Sequence, residues 1–480
     1  MKVETVELRS ETLEGYGMRS RATCQVARVH SVDDIAEMLV AARAAGATVG
    51  MRGGGCSYGD AALNGGHIVV DTSGMNRILA WNPDSGTITV EPGVTIAQLW
   101  RETLAAGWWP PVVPGTMAVT VGGAAAANIH GKNNWRDGCF GDHILTFDLL
   151  LASGQVVTCS RESQVDLFHA AIGGFGLLGV FTSITLRMRR IYSGRVHVRQ
   201  TAHPSLKELV SALDAGTASA THLVAWVDTA ARGTHLGRGL LKSMLEFQPG
   251  EDSDPAATLD PQRQPPPPRV AGVVPVEWIP TLARPIATRT GTRLANRAQW
   301  LRGNLPGADR AHDERYVPAN FMLNFIPNFR YVYRPGGLIQ HQSFIDAAHA
   351  TALFSTILQE AQSARLEPSL AVLKKHQTSP FLLNYLPDGY SLALDFAVPH
   401  GQEHAVNRLM RDLNDLVANS GGTFFLAKDS TLKPAHLARA FAAGTLRAFR
   451  DIKQHYDPAE LFQSDLYRRT LQPAMAAAAQ

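Results

Sequence analysis

The chain has 480 residues, 45% of them hydrophobic, and sets 45 lysines and arginines against 42 acids, for a net charge of +3. Such a chain is too long for one simple core, so two domains are expected, and its mixed signs exclude a dedicated nucleic-acid surface with clustered basic residues and interleaved aromatics. Four cysteines without CxxC spacing (Cys24, Cys56, Cys139, Cys159) predict neither a disulfide framework nor a metal site, and no apolar leader or spanning run is present, so a cytoplasmic protein, at most peripheral at the inner membrane, is expected.

In chain order, Ser31 precedes Asp33 and Asp34, and Ile35, Met38, Leu39 and Ala42 recur at helical spacing up to Gly46, which predicts a capped amphipathic helix. A strand over 47–51 then feeds the loop Arg52–Asp60, RGGGCSYGD, whose consecutive glycines let backbone amides form a phosphate nest. A strand at 67–71 and a hairpin, 78–81 to 87–90, follow, and Thr95 caps a helix over 96–106 closed by Gly107. The stretch 114–131, PGTMAVTVGGAAAANIHG, is almost all small residues before His130. Two readings fit it: a cradle against a large flat ligand, which is the working expectation, or a tight helix–sheet contact. A hairpin at 147–158 turns at Ser153-Gly154, and a helix near 163–171 leads to GFGLLG at 174–179. That segment matches GxGxxG, but alternating β-branched residues follow it at 180–186, so a strand comes next and a dinucleotide fold of the Rossmann type is excluded. The basic cluster 187–190 reads as a solvated strand end or, alternatively, as a contact for an anionic phosphate or a membrane face.

Beyond residue 190, strands are expected at 337–343, 370–373 and 390–398, with helices near 206–213, 346–363, 402–419 and 435–442. Residues 250–277 are acidic and then proline-rich, with Pro265–Pro268 consecutive; they read as a flexible surface insertion or a mobile lid. Alternation of short strands with capped helices makes the chain α+β.

The two glycine-rich loops, about sixty residues apart, fit a pyrophosphate held between them, as in FAD. RGGGCSYGD…NGGHIVVD, VEPGVT, PGTMAVTVGGAAAANIHGKN and GGFGLLG resemble, in order, the FAD-binding domain of the vanillyl-alcohol oxidase/para-cresol methylhydroxylase (PCMH) superfamily. Together with GGLIQHQSF, AKDS and DPAELFQSD, they are most similar to the decaprenylphosphoryl-β-D-ribose 2′-oxidase family, over residues 15–470. The resemblance implies a PCMH-type FAD domain from 1–190 and 421–480, and an α+β substrate domain with an antiparallel sheet from 191–420. It places Gly54, Gly55, Cys56, Ser57, Tyr58, Asn64, Gly115, Thr116, Thr120, Gly122, Gly123, Asn128, His130, Gly131 and Val180 along the cofactor. Cys56 stands where many superfamily members carry a flavin-linked histidine, so non-covalent FAD is expected.

For the reaction the resemblance points to His130, Lys428, Lys374, Gln340, Gln342 and Tyr333. Oxidising a secondary alcohol requires a base for the hydroxyl proton and a positive group near the flavin, and Lys428 suits one of those jobs, while Lys374 suits a substrate phosphate. The implied reaction is oxidation of the 2′-hydroxyl of a polyprenylphosphoryl ribose, a step toward the arabinose donor for cell-wall arabinan. A separate NADH-dependent reductase and peripheral membrane contact would go with it. Three departures fall near the substrate: Asn134-Trp135 where the family usually has histidines, Ala393 where mycobacterial members carry cysteine, and Phe329-Arg330-Tyr331 in place of Trp-Asn-Arg. A soluble alditol or sugar-lactone oxidase using oxygen, and a non-catalytic flavin-binding partner, remain alternatives.

Overall fold

The computed structural model describes residues 6–265, 269–270, 273–321 and 328–479; Pro266–Pro268 of the proline run lie outside them. The first sheet has four strands in the order Leu8–Glu14, Arg21–Arg28, Ile68–Asp71, Val49–Arg52, the first pair antiparallel and the others parallel. The helix Val32–Ala44 begins as its sequence requires: Ser31 accepts from the Asp34 amide, and Asp34 reaches back to the Ser31 amide. Ile35, Met38, Leu39 and Ala42 are its buried face.

A second, wholly antiparallel sheet runs Ile78–Asn82, Thr87–Val90, Val180–Arg187, Ile144–Leu150, Val156–Ser160. The strand after GFGLLG is therefore present. The helix Ile96–Thr103 carries a capping box from Thr95 and Gln98. The small-residue stretch folds into a short helix, Val121–Ala126, capped by Thr120. Two of its glycines serve protein contacts, as the tight-contact reading requires: a Cβ on Gly122 would lie 2.7 Å from Pro92, and one on Gly131 2.5 Å from Asn133 Oδ1.

The third sheet is antiparallel with eight strands: His312–Arg315, Arg195–His203, Gly239–Glu246, His222–Val227, Leu370–His376, Gly389–Ala397, Leu338–Asp346, Thr423–Phe424. Helices Leu206–Gly216, Ala350–Ser363 and Glu403–Asn419 pack on it with apolar faces at helical spacing, for example Val406, Leu409, Met410, Leu413 and Val417. Two of these strands outrun their expected ends. Leu370–His376 includes Lys374 within the strand, and Leu338–Asp346 continues past Ser343.

The C-terminal residues close against the first sheet. Val49 exchanges backbone hydrogen bonds with Leu461 (2.7 Å) and Gln463 (3.0 Å), and the Gly65 amide donates to Asp465 (3.0 Å). Buried Lys453 donates to Asp457 (2.8 Å) and to the carbonyls of Leu177 (3.0 Å) and Phe462 (2.9 Å). Arg189 corrects the reading of the 187–190 cluster: its guanidinium is largely buried and joins Asp137 to Glu246, so it ties two segments together instead of facing water. No helix among the described residues is long and apolar enough to cross a membrane. Among those residues no cluster of His, Cys, Asp and Glu is placed to hold a metal.

Candidate active site

The site is built where the third sheet meets the two glycine-rich loops. Directly opposed residues of antiparallel strands share a face. The register sets Gln340 opposite Asp395 and Leu370, Gln342 opposite Ala393 and Val372, and Ser391 opposite Lys374 and Phe344. One face of three adjacent strands thus presents Gln340, Gln342, Lys374, Ser391 and Asp395 together.

The loop Arg52–Asp60 comes in above that face. Its Tyr58 amide donates to the Ala427 carbonyl (2.8 Å), and a Cβ on Gly59 would lie 1.7 Å from the Asp429 carbonyl, so the loop and the Leu426–Lys428 turn are in direct contact. Arg469 clamps the pair by donating to Asp60 (2.7 and 2.8 Å) and Asp429 (2.8 Å). Gly55 has φ +63° and backs onto the Arg52 guanidinium, while a Cβ on Gly54 would meet the Ala118 carbonyl at 2.3 Å. Cys56 is half-buried and reduced, with its thiol pushed up by burial.

Lys428 lies with Nζ 3.8 Å from the Tyr58 ring centroid, a cation–π contact, and has no hydrogen bond or ion pair among the described residues. Burial pushes it down to about 7; Asp395 opposes that shift and Lys374 adds to it. Lys374 is likewise without a hydrogen bond or ion pair among the described residues, and burial lowers it to about 8. Asp395 is enclosed and pushed up to about 6 by burial, while the Gln340 amide, Lys428 and the Tyr333 hydroxyl (3.4 Å) stabilise its charge. Tyr333 also pairs with Ser369 (2.9 Å). Gln340 comes within 3.5 Å of the Tyr58 hydroxyl, which links the sheet to the loop.

His130 is buried among Phe344, Tyr385, His376 and Phe425. Burial, with Lys374, His376 and Lys428 nearby, holds its imidazole well below the usual range, so it is neutral. A hydrogen-bonded line runs from it through the core. Gln342 Nε2, which can only donate, gives one hydrogen to His130 Nε2 (3.2 Å) and one to Ser391 Oγ (3.3 Å). Ser391 then donates to His376 Nε2 (2.7 Å), and His376 Nδ1–H donates to Asn134 Oδ1 (2.9 Å). Every member has one role, and His130 is left with its hydrogen on Nδ1, a buried atom without a hydrogen-bond partner among the described residues.

The remaining expected residues divide. Asn128 Oδ1 accepts from the Gly141 amide (3.0 Å), and its carbonyl accepts from Tyr385 (2.8 Å), which fixes the backbone before His130 at φ +42°. Ser57 is held by the Tyr16 amide at its carbonyl (2.8 Å), Thr116 Oγ1 accepts from the Ala118 amide (3.4 Å), and Gly115 is partly exposed beside it. Thr120 accepts from the Gly123 amide (3.2 Å), and Gly131 is pressed against Asn133. Asn64 is enclosed elsewhere: its amide donates to Thr48 and Ile68 carbonyls and accepts from Arg468 (2.7 Å). Val180 packs with Leu150 and Val70 in the core under the first sheet.

Sequence reasoning missed Asp395, Ser391, His376 and Lys132. The first two carry a readable signal, since 391, 393 and 395 in YSLALDF alternate in phase. Lys132 is buried, bonded to the Asn320 carbonyl and held well below the usual lysine range by burial, with Lys374 and Lys242 adding to the effect.

Three desolvated lysines lie in this region, and Asp395, the carboxylate that acts on one of them, Lys428, is itself reluctant to ionise. Such a site is short of negative charge and calls for an anionic ligand. The orphaned His130 Nδ1, the unpaired Lys428 and Lys374, and the positive-φ Gly55 together fit a flavin dinucleotide and a phosphorylated substrate.

Comparison with known proteins agrees. Residues 24–160 match the FAD binding domain family. The chain is 29% identical to decaprenylphosphoryl-β-D-ribose oxidase of Mycolicibacterium smegmatis, across 96% of this chain and 97% of that one. It is 30% identical to an uncharacterized protein of Streptomyces coelicolor over 78% of this chain and 99% of that protein. Likeness to the L-gulonolactone oxidase of Bos taurus, 30% identical, is confined to 38% of this chain and 41% of that enzyme. With its α+β fold, its FAD-binding segment and near end-to-end similarity to a decaprenylphosphoryl-β-D-ribose oxidase, the chain is an FAD-dependent oxidoreductase acting on CH–OH groups.

Proposed function

We propose that this enzyme oxidises the 2′-hydroxyl of a polyprenylphosphoryl-β-D-ribose to the 2′-keto sugar. The observation that carries the reading is the set of lysines, Lys428, Lys374 and Lys132, desolvated around one sheet face that also presents Gln340 and Gln342. Residues 1–190 and 421–480 form the FAD domain, and 191–420 the substrate domain. The glycine loop 54–58 and the segment 115–131 hold the cofactor, bound non-covalently because Cys56 replaces the histidine that would attach it. FAD, when bound, supplies a two-electron acceptor for the hydrogen leaving the sugar carbon.

Lys428, neutral above about pH 7, takes the hydroxyl proton. Lys374 binds the substrate phosphate by a charge-assisted contact, and Gln340 and Gln342 orient the sugar hydroxyls. His130, neutral and fixed in one tautomer, donates from Nδ1. The substrate loses one hydride and one proton and leaves as a ketone, for a separate reductase to reduce.

An anaerobic visible spectrum tests the reading. Bleaching by a short-chain polyprenylphosphoryl ribose, with none by xylitol, supports it; bleaching by the polyol alone transfers the assignment to an alditol or lactone oxidase. No bleaching by either leaves the flavin-binding partner. Acid precipitation is expected to release all flavin into the supernatant, and a yellow pellet would mean a covalent link. Ser391→Ala cuts the line between His376 and Gln342 and is expected to lower kcat about tenfold, the worth of one hydrogen bond, with partial recovery in Ser391→Thr. Steady-state kinetics check this.

A further inference from the structure

Among the described residues, seven of the fourteen large hydrophobic side chains that stand exposed lie within 273–305, including Trp278 (64% exposed), Leu282 (60%), Leu294 (64%) and Leu301 (56%). The helix Arg289–Gly303 is inverted. It buries Thr292, Asn296 and Gly303, with Asn296 bonded to Thr229 (2.9 Å) and Thr292 to the Ile286 carbonyl (2.8 Å). To solvent it turns a stripe of Leu294, Ala298 and Leu301, which Leu305 continues just past its end. A helix packed on a soluble core has the opposite arrangement. Just before it, Trp278, Leu282 and Ile286 are exposed at four-residue spacing.

Charge accompanies this apolar surface. Residues 269–310 hold seven arginines against Glu277 and Asp309, a net +5, although the whole chain is only +3, so the rest of the protein is net negative. Arg289 and Arg293 are spent on Glu367. Arg284, Arg297 and Arg302 have no hydrogen bond or ion pair among the described residues. The surface also adjoins the site: Ala283 and Ala287 pack with Phe329 against the cluster containing Tyr333 and Tyr58.

We propose that residues 273–305 are a membrane-docking surface, which seats Trp278, Leu282, Leu294 and Leu301 in the interface of an anionic bilayer. Arg284, Arg297 and Arg302 meet the lipid headgroups, and the apolar residues bury where acyl chains begin. Docking sets the Tyr333 side of the site against the lipid, where a membrane-borne sugar phosphate would enter. This entry route extends the substrate reading above; the surface itself does not depend on it.

The test is co-sedimentation of the full-length, FAD-loaded protein with vesicles, without substrate. Binding to vesicles of phosphatidylcholine with 30 mol% phosphatidylglycerol is expected to exceed binding to phosphatidylcholine alone, and to fall with added salt. Arg284→Gln/Arg297→Gln/Arg302→Gln should weaken it about 100-fold, and Leu294→Ser/Leu301→Ser at least tenfold, with flavin absorbance and melting temperature unchanged. Absence of binding to anionic vesicles overturns the proposal, as does binding that neither variant weakens. A vesicle-free dimer abolished by Leu294→Ser/Leu301→Ser also overturns it, and assigns the face to a second copy of the chain. Because no substrate is present, failure here and failure of the ribose reading are separately visible.

Discussion

Lys428→Met is expected to lower turnover about 1,000-fold while the protein keeps its flavin, within the range that general-base catalysis supplies. The side chain lies on the Tyr58 ring without a carboxylate bonded to it, and burial brings it down to about 7. Its sign is testable. A base works in its deprotonated form, so kcat/KM of the unaltered enzyme should rise with pH through about 7 and level off above. In Lys428→Met that rise should vanish with the activity. If the ammonium charge were the working form, the profile would instead fall through the same pH. Asp395→Asn removes the charge that favours protonated Lys428 and should shift the rise to lower pH, a result that mere loss of packing would not produce. Stopped-flow reduction across pH 5.5–9 reads all three proteins.

The largest effect on stability is expected at Lys453. Its side chain is 1% exposed and that of Asp457 is 0%, and they pair at 2.8 Å. Lys453→Met leaves a buried carboxylate supported only by the Leu461 and Phe462 amides. Breaking a buried pair from one side costs about 3–5 kcal/mol, and removing both charges together costs less. The thermal midpoint of Lys453→Met should therefore drop on the order of 10 °C, with early release of flavin, and Lys453→Met/Asp457→Leu should recover part of the loss. Differential scanning calorimetry, followed also by flavin fluorescence, separates the two variants.

Local rules carried the sequence reading far. Ser31, Thr95, Gly46 and Gly107 mark helix ends by chemistry that acts within a few residues, and each is found at such an end. The strand after GFGLLG was legible because its β-branched alternation is local too. Distant pairing was not. Lys374 falls just past the strand end expected at 373, yet the strand runs on to His376, and Ser391 sits across from Lys374. The line from Asn134 to His130 joins five residues of four segments. Its terminus, Asn134, was visible only as a departure from histidine, with nothing local to say that it would support His376. The inverted helix at 289–303 escaped for a different reason: periodicity reveals an apolar stripe but not which side of the helix faces the core.

The bonds between Gly65 and Asp465 and between Asn64 and Arg468 span about 400 residues of chain. A ribosome that has made the glycine loop, the small-residue helix and both amino-terminal sheets has still not made the strap that fastens them. During most of synthesis the emerging half must wait in a partly ordered state, open to chaperones, while the intervening segment is translated. Closing so long a loop is entropically costly and slow, and full ordering of the first half should wait until residues 461–468 have been made. Premature termination anywhere before residue 460 would then harm the first-made part of the protein as much as the last.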